Sequence, residues 1–337
     1  MNTTEWIRSL IASNARAAIP IMTHPGIELL GRRVIDAVTD GQTHFEAIEA
    51  LSREFPQAAA CTAIMDLTVE AEAFGAALHF SDDEVPSVAE RLVSDLRGVS
   101  ALKVPPPDAG RAAEYLKANR LAAERIGKPV FAGCIGPYSL AGRLFDMTEI
   151  MMAIYTEPET AALLLEKCTE FIGSYCAAIK QTGAAGVIMA EPAAGLLSDE
   201  DCRRHSSDYI RRIVDAVQDD GFAVILHNCG NTGHCTGAMT ATGAAGFHFG
   251  NKADMAEALG ACPSGALVMG NLDPVGIFRM STPDEVFGAT LELLARTAAH
   301  ENFVVSSGCD TPPDVPFENI GAFYRAVDEF NRNQPKR

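Results

Sequence analysis

At residues 224–231 the sequence reads Val224-Ile225-Leu226-His227-Asn228-Cys229-Gly230-Asn231, an apolar run that ends in His-x-Cys and a glycine. The run predicts a β-strand, in which successive side chains alternate between the two faces. His227 and Cys229 are therefore expected on the same face, at the end where the chain leaves the strand. Imidazole and thiolate are both zinc ligands, so this strand end is a candidate metal site.

A third candidate ligand follows another apolar run, Phe303-Val304-Val305-Ser306-Ser307-Gly308-Cys309-Asp310. Cys309 would complete a set of one imidazole and two thiolates, which leaves a fourth zinc position open for substrate or water. Two residues closer to the first pair, His234 and Cys235, are rival ligands. Cys309 is preferred because the glycine and prolines around it shape a loop that a cysteine buried only for packing would not need.

Eight short apolar runs alternate with segments of helical pattern, and no linker or low-complexity segment separates them. The runs cover residues 18–26, 58–66, 129–138, 183–192, 224–231, 242–251, 265–274 and 303–310. This alternation predicts an α/β protein, a (β/α)8 TIM barrel, as a single domain over residues 1–337. A doubly wound open sheet is the competing architecture, but the glycine fingerprint of its first strand–helix turn is missing.

Two helical segments are predicted outside the eight units. An N-terminal helical extension, residues 2–18, is expected to pack across the bottom of the barrel or against another subunit. A helical excursion occupies residues 88–128. In a (β/α)8 barrel every strand ends at the same rim, where active sites form. The residues that follow the apolar runs are therefore expected to meet there.

Acidic residues follow three of the runs and are candidate catalytic groups, namely Asp66, Glu191 and Asp273. Each has an alternative structural role, as the cap of a following helix or the partner of an arginine on the rim. Three further residues near strand ends are candidates for binding a cofactor, namely Tyr138, Met189 and Asn231. For Met189, a place in the core or in the pocket lining is the simpler interpretation.

The composition narrows the class of partner and the compartment. Lys and Arg number 27 against 44 Asp and Glu, a net charge of −17, which argues against nucleic acid and membranes as partners. The N-terminus lacks the basic and apolar regions of a signal peptide, and no segment reaches the roughly 20 apolar residues that cross a bilayer. Nine cysteines without a disulfide spacing indicate a reducing compartment, so a cytoplasmic protein is expected.

Motifs along nearly the whole chain resemble the uroporphyrinogen decarboxylase superfamily, and within it the zinc-dependent methylcobalamin:coenzyme M methyltransferases. The most specific of them are His227-Asn228-Cys229-Gly230-Asn231 and Gly308-Cys309-Asp310-Thr311-Pro312-Pro313. The others are Ile19-Pro20-Ile21-Met22, Asp66-x₃-Glu70-Ala71-Glu72-Ala73-Phe74-Gly75, Gly136-Pro137, Glu191-Pro192-Ala193, Gly270-Asn271-Leu272-Asp273-Pro274 and Pro316-x-Glu318-Asn319.

The resemblance implies a uroporphyrinogen decarboxylase-like barrel with a pocket at the C-terminal rim. It implies zinc held by His227, Cys229 and Cys309, and transfer of a methyl group from a methylated corrinoid to a thiol such as coenzyme M or homocysteine. The donor would be methylcobalamin or a corrinoid protein that docks as a partner. Zinc would deprotonate the acceptor thiol, whose ordinary pKa is about 8.5. One of the three acids would fill the fourth zinc position at rest or orient the thiol, and a second copy of the chain is a further candidate partner.

Three alternatives stay open at this point. The decarboxylase branch, which acts on a tetrapyrrole, resembles the chain at Asp66, but its N-terminal loop is rich in arginine and residues 22–28 here contain none. A polycarboxylate substrate would thus meet an acidic protein without a clamp. A non-catalytic zinc-binding barrel would show the same ligands as the enzyme. Methyl transfer to a pterin is disfavoured by the intact His/Cys/Cys set.

Overall fold

A computed structural model describes residues 1–333, and seven of its strands form one parallel sheet in sequence order. The sheet strands are β1 Cys61–Thr62, β4 Val130–Ile135, β5 Gly186–Ala190, β6 Ala223–Asn228, β7 Gly246–Phe249, β8 Leu267–Leu272 and β9 Phe303–Ser307. A separate antiparallel hairpin contains β2 Leu78–His79 and β3 Ser87–Val88. Seven of the eight predicted apolar runs therefore contain strands of the sheet.

The first apolar run closes the sheet into a barrel, although it forms an isolated bridge instead of a regular strand. Ala18 forms a parallel bridge with Val305 of β9. The amide of Ile19 donates to the carbonyl of Val305 at 3.0 Å, and on the other side the amide of Ala59 donates to the carbonyl of Ala18 at 2.9 Å. The eighth position of the predicted (β/α)8 barrel is thus occupied, and the predicted fold class is confirmed.

Helices surround the sheet and supply the crossover between successive parallel strands. In chain order they are α1 Thr3–Ala12, α2 His24–Leu29, α3 Val34–Thr39, α4 Gly41–Glu54, α5 Val69–Ala73, α6 Leu96–Ala101, α7 Ala112–Arg125, α8 Pro137–Phe145, α9 Met147–Thr156, α10 Pro158–Gln181, α11 Asp199–Cys202, α12 Asp208–Val217, α13 Thr236–Thr240, α14 Met255–Ala261, α15 Pro283–Arg296 and α16 Phe317–Asn333. Three short helical segments of other pitch cover Pro192–Leu196, Arg203–Ser207 and Pro274–Arg279. Within residues 1–333, no helix is long and apolar enough to cross a membrane.

Two apolar layers hold the fold together. The outer layer lies between the sheet and the helices, and the inner layer fills the barrel with side chains from alternate strand positions, among them Ile21, Phe131, Ile188, Ile225, Met269 and Val304. Helix α1 covers the N-terminal end of the barrel, where Ile7 packs in the inner layer and Trp6 lies 5.8 Å from the ring of Phe131. Because the inner layer and α1 fill the bottom, the opposite rim is where polar side chains collect.

Candidate metal centre

The three predicted metal ligands lie together at the C-terminal rim. One ligand atom from each of His227, Cys229 and Cys309 lies within 4.8 Å of the other two. His227 is the last residue but one of β6 and faces the barrel interior, since Ile225, two residues earlier, belongs to the inner layer. His227 is buried, whereas the two cysteines are half-buried. The cluster is therefore closed on the barrel side and open towards the rim.

Local turn chemistry orients Cys229. The side-chain oxygen of Asn228 accepts hydrogen bonds from the amides of Gly230 at 3.1 Å and Asn231 at 3.0 Å, which turns the chain directly after β6. Gly250, after β7, passes so close that a Cβ there would lie 2.7 Å from the Cα of Cys229. Only glycine permits this approach of the two loops.

The loop that carries Cys309 is fixed to the start of the barrel. The carboxylate of Asp310 accepts a hydrogen bond from the amide of Met65 at 3.2 Å, and the amide of Thr311 donates to the carbonyl of Ile21 at 3.1 Å. A Cβ at Gly308 would lie 2.6 Å from the backbone nitrogen of Asn251. The loops after β6, β7 and β9 thus meet, and they bring cysteines 80 positions apart in the sequence to one place.

The imidazole of His227 presents one free nitrogen to the cysteines. Its Nδ1 lies 2.7 Å from Nδ1 of His248 and 3.3 Å from the backbone oxygen of His248. Among the described residues its Nε2 is buried and has no hydrogen-bond partner. A buried polar atom without a partner is costly unless something binds it. A metal ion beside the two sulfur atoms would satisfy it.

Two residues behind His227 were not among the sequence candidates. His248 of β7 is fully buried, and its Nε2 lies 3.0 Å from the hydroxyl oxygen of Ser306 in β9. Burial, followed by the neighbouring His227, holds the pKa of His248 well below its ordinary value, so the ring is neutral. The available signal was the alternation Gly246-Phe247-His248-Phe249, which places a polar residue on the opposite face from two aromatic residues.

The pKa values of the two cysteine thiols shift in opposite directions. The hydrogen bond from the Cys309 thiol lowers the pKa of Cys229 to about 7, against the effect of burial. The same hydrogen bond, together with burial, raises the pKa of Cys309. The cluster can therefore hold one thiolate at neutral pH, and the thiolate is the form of cysteine that binds metals.

The rival ligands point away from this cluster. Nε2 of His234 lies 3.1 Å from the backbone oxygen of Leu197. The sulfur of Cys235 is buried and lies 3.5 Å from the same oxygen. Within residues 1–333, the only cluster of three or more His, Cys, Asp or Glu ligands is His227, Cys229 and Cys309, so no carboxylate joins it.

Glu191 lies at the N-terminus of α8. Its carboxylate accepts hydrogen bonds from the amides of Tyr138 at 3.0 Å and Ser139 at 2.5 Å, so it caps this helix from another strand end. Burial raises the pKa of Glu191 to about 7, while these hydrogen bonds act in the opposite direction. Gly136 makes room for the carboxylate, because a Cβ there would lie 2.2 Å from Oε2 of Glu191.

Asp66 is held in a buried cluster of its own. It accepts hydrogen bonds from the guanidinium of Arg111 at 2.5 Å, the hydroxyl of Tyr115 at 3.1 Å, and the amide and hydroxyl of Thr68 at 3.0 and 2.6 Å. Arg111 also contacts Glu72. Arg111 directly precedes α7, in the predicted excursion, and the arginine partner that was one interpretation of this acid is present.

Asp273 caps the segment Pro274–Arg279. Its carboxylate accepts hydrogen bonds from the amides of Val275 at 2.9 Å and Gly276 at 2.8 Å. Its second oxygen accepts one from the side chain of Asn251 at 2.7 Å. Each of the three predicted acids therefore has several hydrogen-bonding partners of its own.

The three residues predicted to bind a cofactor occupy different environments. Tyr138 is buried in the first turn of α8, and its hydroxyl has no partner among residues 1–333. Met189 lies in the outer apolar layer between sheet and helices. The side chain of Asn231 organises the loop after Cys229, because its oxygen accepts from the amides of Gly233 and Cys235.

The donor set fits a zinc ion. One buried imidazole nitrogen and two sulfur atoms are soft or borderline ligands of the kind that zinc takes, and three protein ligands are typical of zinc sites that leave a position for substrate. The unpartnered Nε2 of His227 is the atom that such an ion would bind.

Known proteins resemble this chain over most of its length. The family model described as Uroporphyrinogen decarboxylase (URO-D) matches residues 16–330. A methylcobamide:CoM methyltransferase, MtbA, of Methanosarcina mazei is 30% identical over 76% of this chain and 75% of its own length. The uroporphyrinogen decarboxylase of Serratia proteamaculans is 28% identical over 82% of this chain and 79% of its own.

A solved structure, described as a methyltransferase from Methanosarcina mazei, superimposes with a TM-score of 0.88, although its sequence identity is 20%. The superposition covers 98% of this chain and 99% of the other, which supports the barrel fold over the full length. Taken with the match over residues 16–330, these findings show that the chain belongs to the uroporphyrinogen decarboxylase family.

Proposed function

We propose that this chain is a zinc-dependent methyltransferase that moves a methyl group from a methylated corrinoid, presented by a partner protein, to a small thiol such as coenzyme M or homocysteine. The single observation that carries the proposal is the unpartnered Nε2 of His227 beside the sulfur atoms of Cys229 and Cys309. A decarboxylation needs no such set of soft ligands, whereas a zinc ion held by two thiolates and an imidazole can take a thiol in its open position.

The relatives support the enzyme class. Two methylcobamide:CoM methyltransferases, from Methanosarcina mazei and Methanosarcina acetivorans, are each 30% identical to this chain over 76% of its length. The name of these enzymes denotes a methyl transfer from a methylcobamide, which is a corrinoid, to CoM.

The residues of the cluster would hold the metal, and zinc, when bound, supplies Lewis-acid chemistry that keeps an acceptor sulfur as a thiolate at neutral pH. Cys229 and Cys309 contribute negative charge, which would keep that sulfur nucleophilic. His227 holds the third position from the closed side of the barrel, and the half-buried cysteines face the rim. The acceptor and the methyl donor would therefore both approach from the open side.

A methyl-transfer assay tests the proposal. The zinc-loaded protein is mixed with methylcobalamin and with coenzyme M, homocysteine or no thiol, and the loss of methylcobalamin absorbance is followed. Loss of absorbance is expected only with a thiol, and it should disappear in a Cys309→Ala variant. Zinc-loaded wild type that stays inactive with every thiol would contradict the proposal and favour a non-catalytic zinc-binding barrel.

The residues around Asp66 and along the rim support a decarboxylase less well. The decarboxylase interpretation needs Asp66, but the carboxylate of Asp66 already accepts hydrogen bonds from Arg111, Tyr115 and Thr68. A cavity of about 440 Å³ on the same rim is lined by three arginines, but also by Glu28, Asp83, Glu84 and Asp314. One arginine of this cavity, Arg279, already pairs with Asp314. Such a cavity offers no net positive charge to a polycarboxylate.

A further inference from the structure

Two histidines lie in contact inside the barrel, behind the candidate metal centre. His227 and His248 are opposite each other in the register of β6 and β7, and their rings meet edge to face with centroids 4.6 Å apart. Their Nδ1 atoms are 2.7 Å apart, which is a hydrogen-bond distance. Both residues are at most 2% exposed, so water does not replace this contact.

Only one proton fits between the two nitrogens. In the first arrangement Nδ1–H of His227 donates to the lone pair of Nδ1 in His248, and Nε2 of His227 carries a lone pair. In the second arrangement His248 donates, and a neutral His227 then carries its proton on Nε2. The tautomer of one ring thus dictates that of the other.

Metal binding requires the first arrangement. In the second, the proton on Nε2 of His227 can be accepted by a cysteine sulfur, but no lone pair is then left on this nitrogen for a metal ion. In the first, that nitrogen is a lone pair that a cysteine thiol or a metal ion can satisfy. The neutral His248 then carries its own proton on Nε2, which lies 3.0 Å from the hydroxyl oxygen of Ser306 and can donate to it.

We propose that His248, held by Ser306, is a positioning residue that keeps His227 in the Nδ1–H tautomer and its Nε2 ready for a metal ion. The inference rests on the proposed zinc site. A histidine ligand commonly donates its second nitrogen to an outer partner that fixes its orientation, and here that partner is a second imidazole. The chain Ser306, His248, His227 runs through the barrel from β9 to β6.

The competing role is packing, with the backbone oxygen of His248, 3.3 Å from Nδ1 of His227, as the sole acceptor. His248→Leu and His248→Asn separate the two roles, because Asn keeps an acceptor at the δ position and Leu does not. Ser306→Ala removes the far contact. Ser307→Ala is the matched control, since Ser307 is equally buried in β9 but its hydroxyl contacts the backbone of Ile21 instead.

The first measurement is zinc affinity, by competition with a chelating dye. His248→Leu should bind zinc about 10- to 100-fold more weakly than wild type, as is usual when an outer partner of a ligand is lost. His248→Asn should recover most of the affinity, Ser306→Ala should fall between, and Ser307→Ala should match wild type. Equal affinities in His248→Leu and wild type would show that the backbone oxygen suffices and would overturn the proposal.

The second measurement reads the tautomers directly, by nitrogen NMR of protein labelled with ¹⁵N-histidine, with and without zinc. Protons are expected on Nδ1 of His227 and Nε2 of His248 in both forms, and a proton on Nδ1 of His248 would overturn the proposal. The metal-free spectrum tests the tautomer assignment independently of zinc binding. If wild type does not bind zinc, the proposed function fails, while the tautomer assignment is still tested.

Discussion

Gly136→Ala tests the interpretation of Glu191 as a cap for α8. Gly136 has φ −85° and ψ 164°, which alanine adopts without strain. The new methyl group would nevertheless lie 2.2 Å from Oε2 and 2.6 Å from Cδ of Glu191. Because an ordinary contact needs more than 3 Å, the carboxylate must move by about 1 Å, which breaks its hydrogen bonds to the amides of Tyr138 and Ser139.

The expected loss follows from these two contacts. At pH 8, where Glu191 is mostly ionised, hydrogen bonds to its charged carboxylate contribute about 1.5 to 3 kcal/mol each, and alanine returns about 0.4 to 1 kcal/mol through the unfolded chain. The free energy of unfolding should therefore fall by about 2 to 5 kcal/mol. Guanidinium unfolding, followed by the fluorescence of Trp6, the single tryptophan, and by circular dichroism, measures it.

A double-mutant cycle isolates the clash. In a Glu191→Ala background only the 3.0 Å contact with the Cβ remains, so the cost of Gly136→Ala should drop by about 2 kcal/mol or more. Gly173→Ala, in α10 with no atom within 4 Å of the added Cβ, is the control and should be neutral or stabilising. A cost of Gly136→Ala that is unchanged by removing Glu191 would refute the reasoning.

Three further predictions concern the other buried groups. Burial raises the pKa of Glu70 and Glu191 to about 7, so the folded state binds a proton at each carboxylate more tightly than the unfolded state does. The resulting stability is fully present below about pH 4.5 and is lost as the pH rises through 7. Glu70→Gln and Glu191→Gln, each made in the metal-free protein, should reduce the fall in unfolding free energy between pH 5 and 8 by up to about 3 kcal/mol. An unchanged fall would contradict the raised pKa of the substituted residue. Arg111→Met should destabilise the protein by about 3 to 5 kcal/mol, because Asp66 is left buried and unpaired, and adding Asp66→Asn should restore part of the melting temperature. Cys235→Ser should leave zinc content unchanged on metal analysis, because this sulfur faces the backbone of another loop.

The barrel and the ligand cluster could be predicted because both depend on short periodicities. Eight apolar runs imply eight strand positions, and the period of two places His227 and Cys229 on one face. Cys309 follows once the strands close into a ring, because all of them end at the same rim. The sequence did not show that the first run forms only an isolated bridge, because its short pairing with β9 comes from barrel closure and not from local propensity.

The partners of the predicted residues could not be predicted, because they depend on contacts between distant elements. His248 meets His227 only through the register of β6 and β7. Arg111 reaches Asp66 from 45 positions away, and Glu191 caps a helix that begins more than 50 positions earlier. A hydrophobic pattern specifies which face is buried, but not which polar groups meet across it.

The central claim is that His227, Cys229 and Cys309 together bind zinc. Metal analysis of the purified protein, after dialysis against metal-free buffer, tests it most directly. Wild type is expected to hold about one zinc per chain, and a Cys309→Ala variant that remains folded is expected to lose it. Wild type without zinc, or a Cys309→Ala variant that retains a full equivalent, would contradict it.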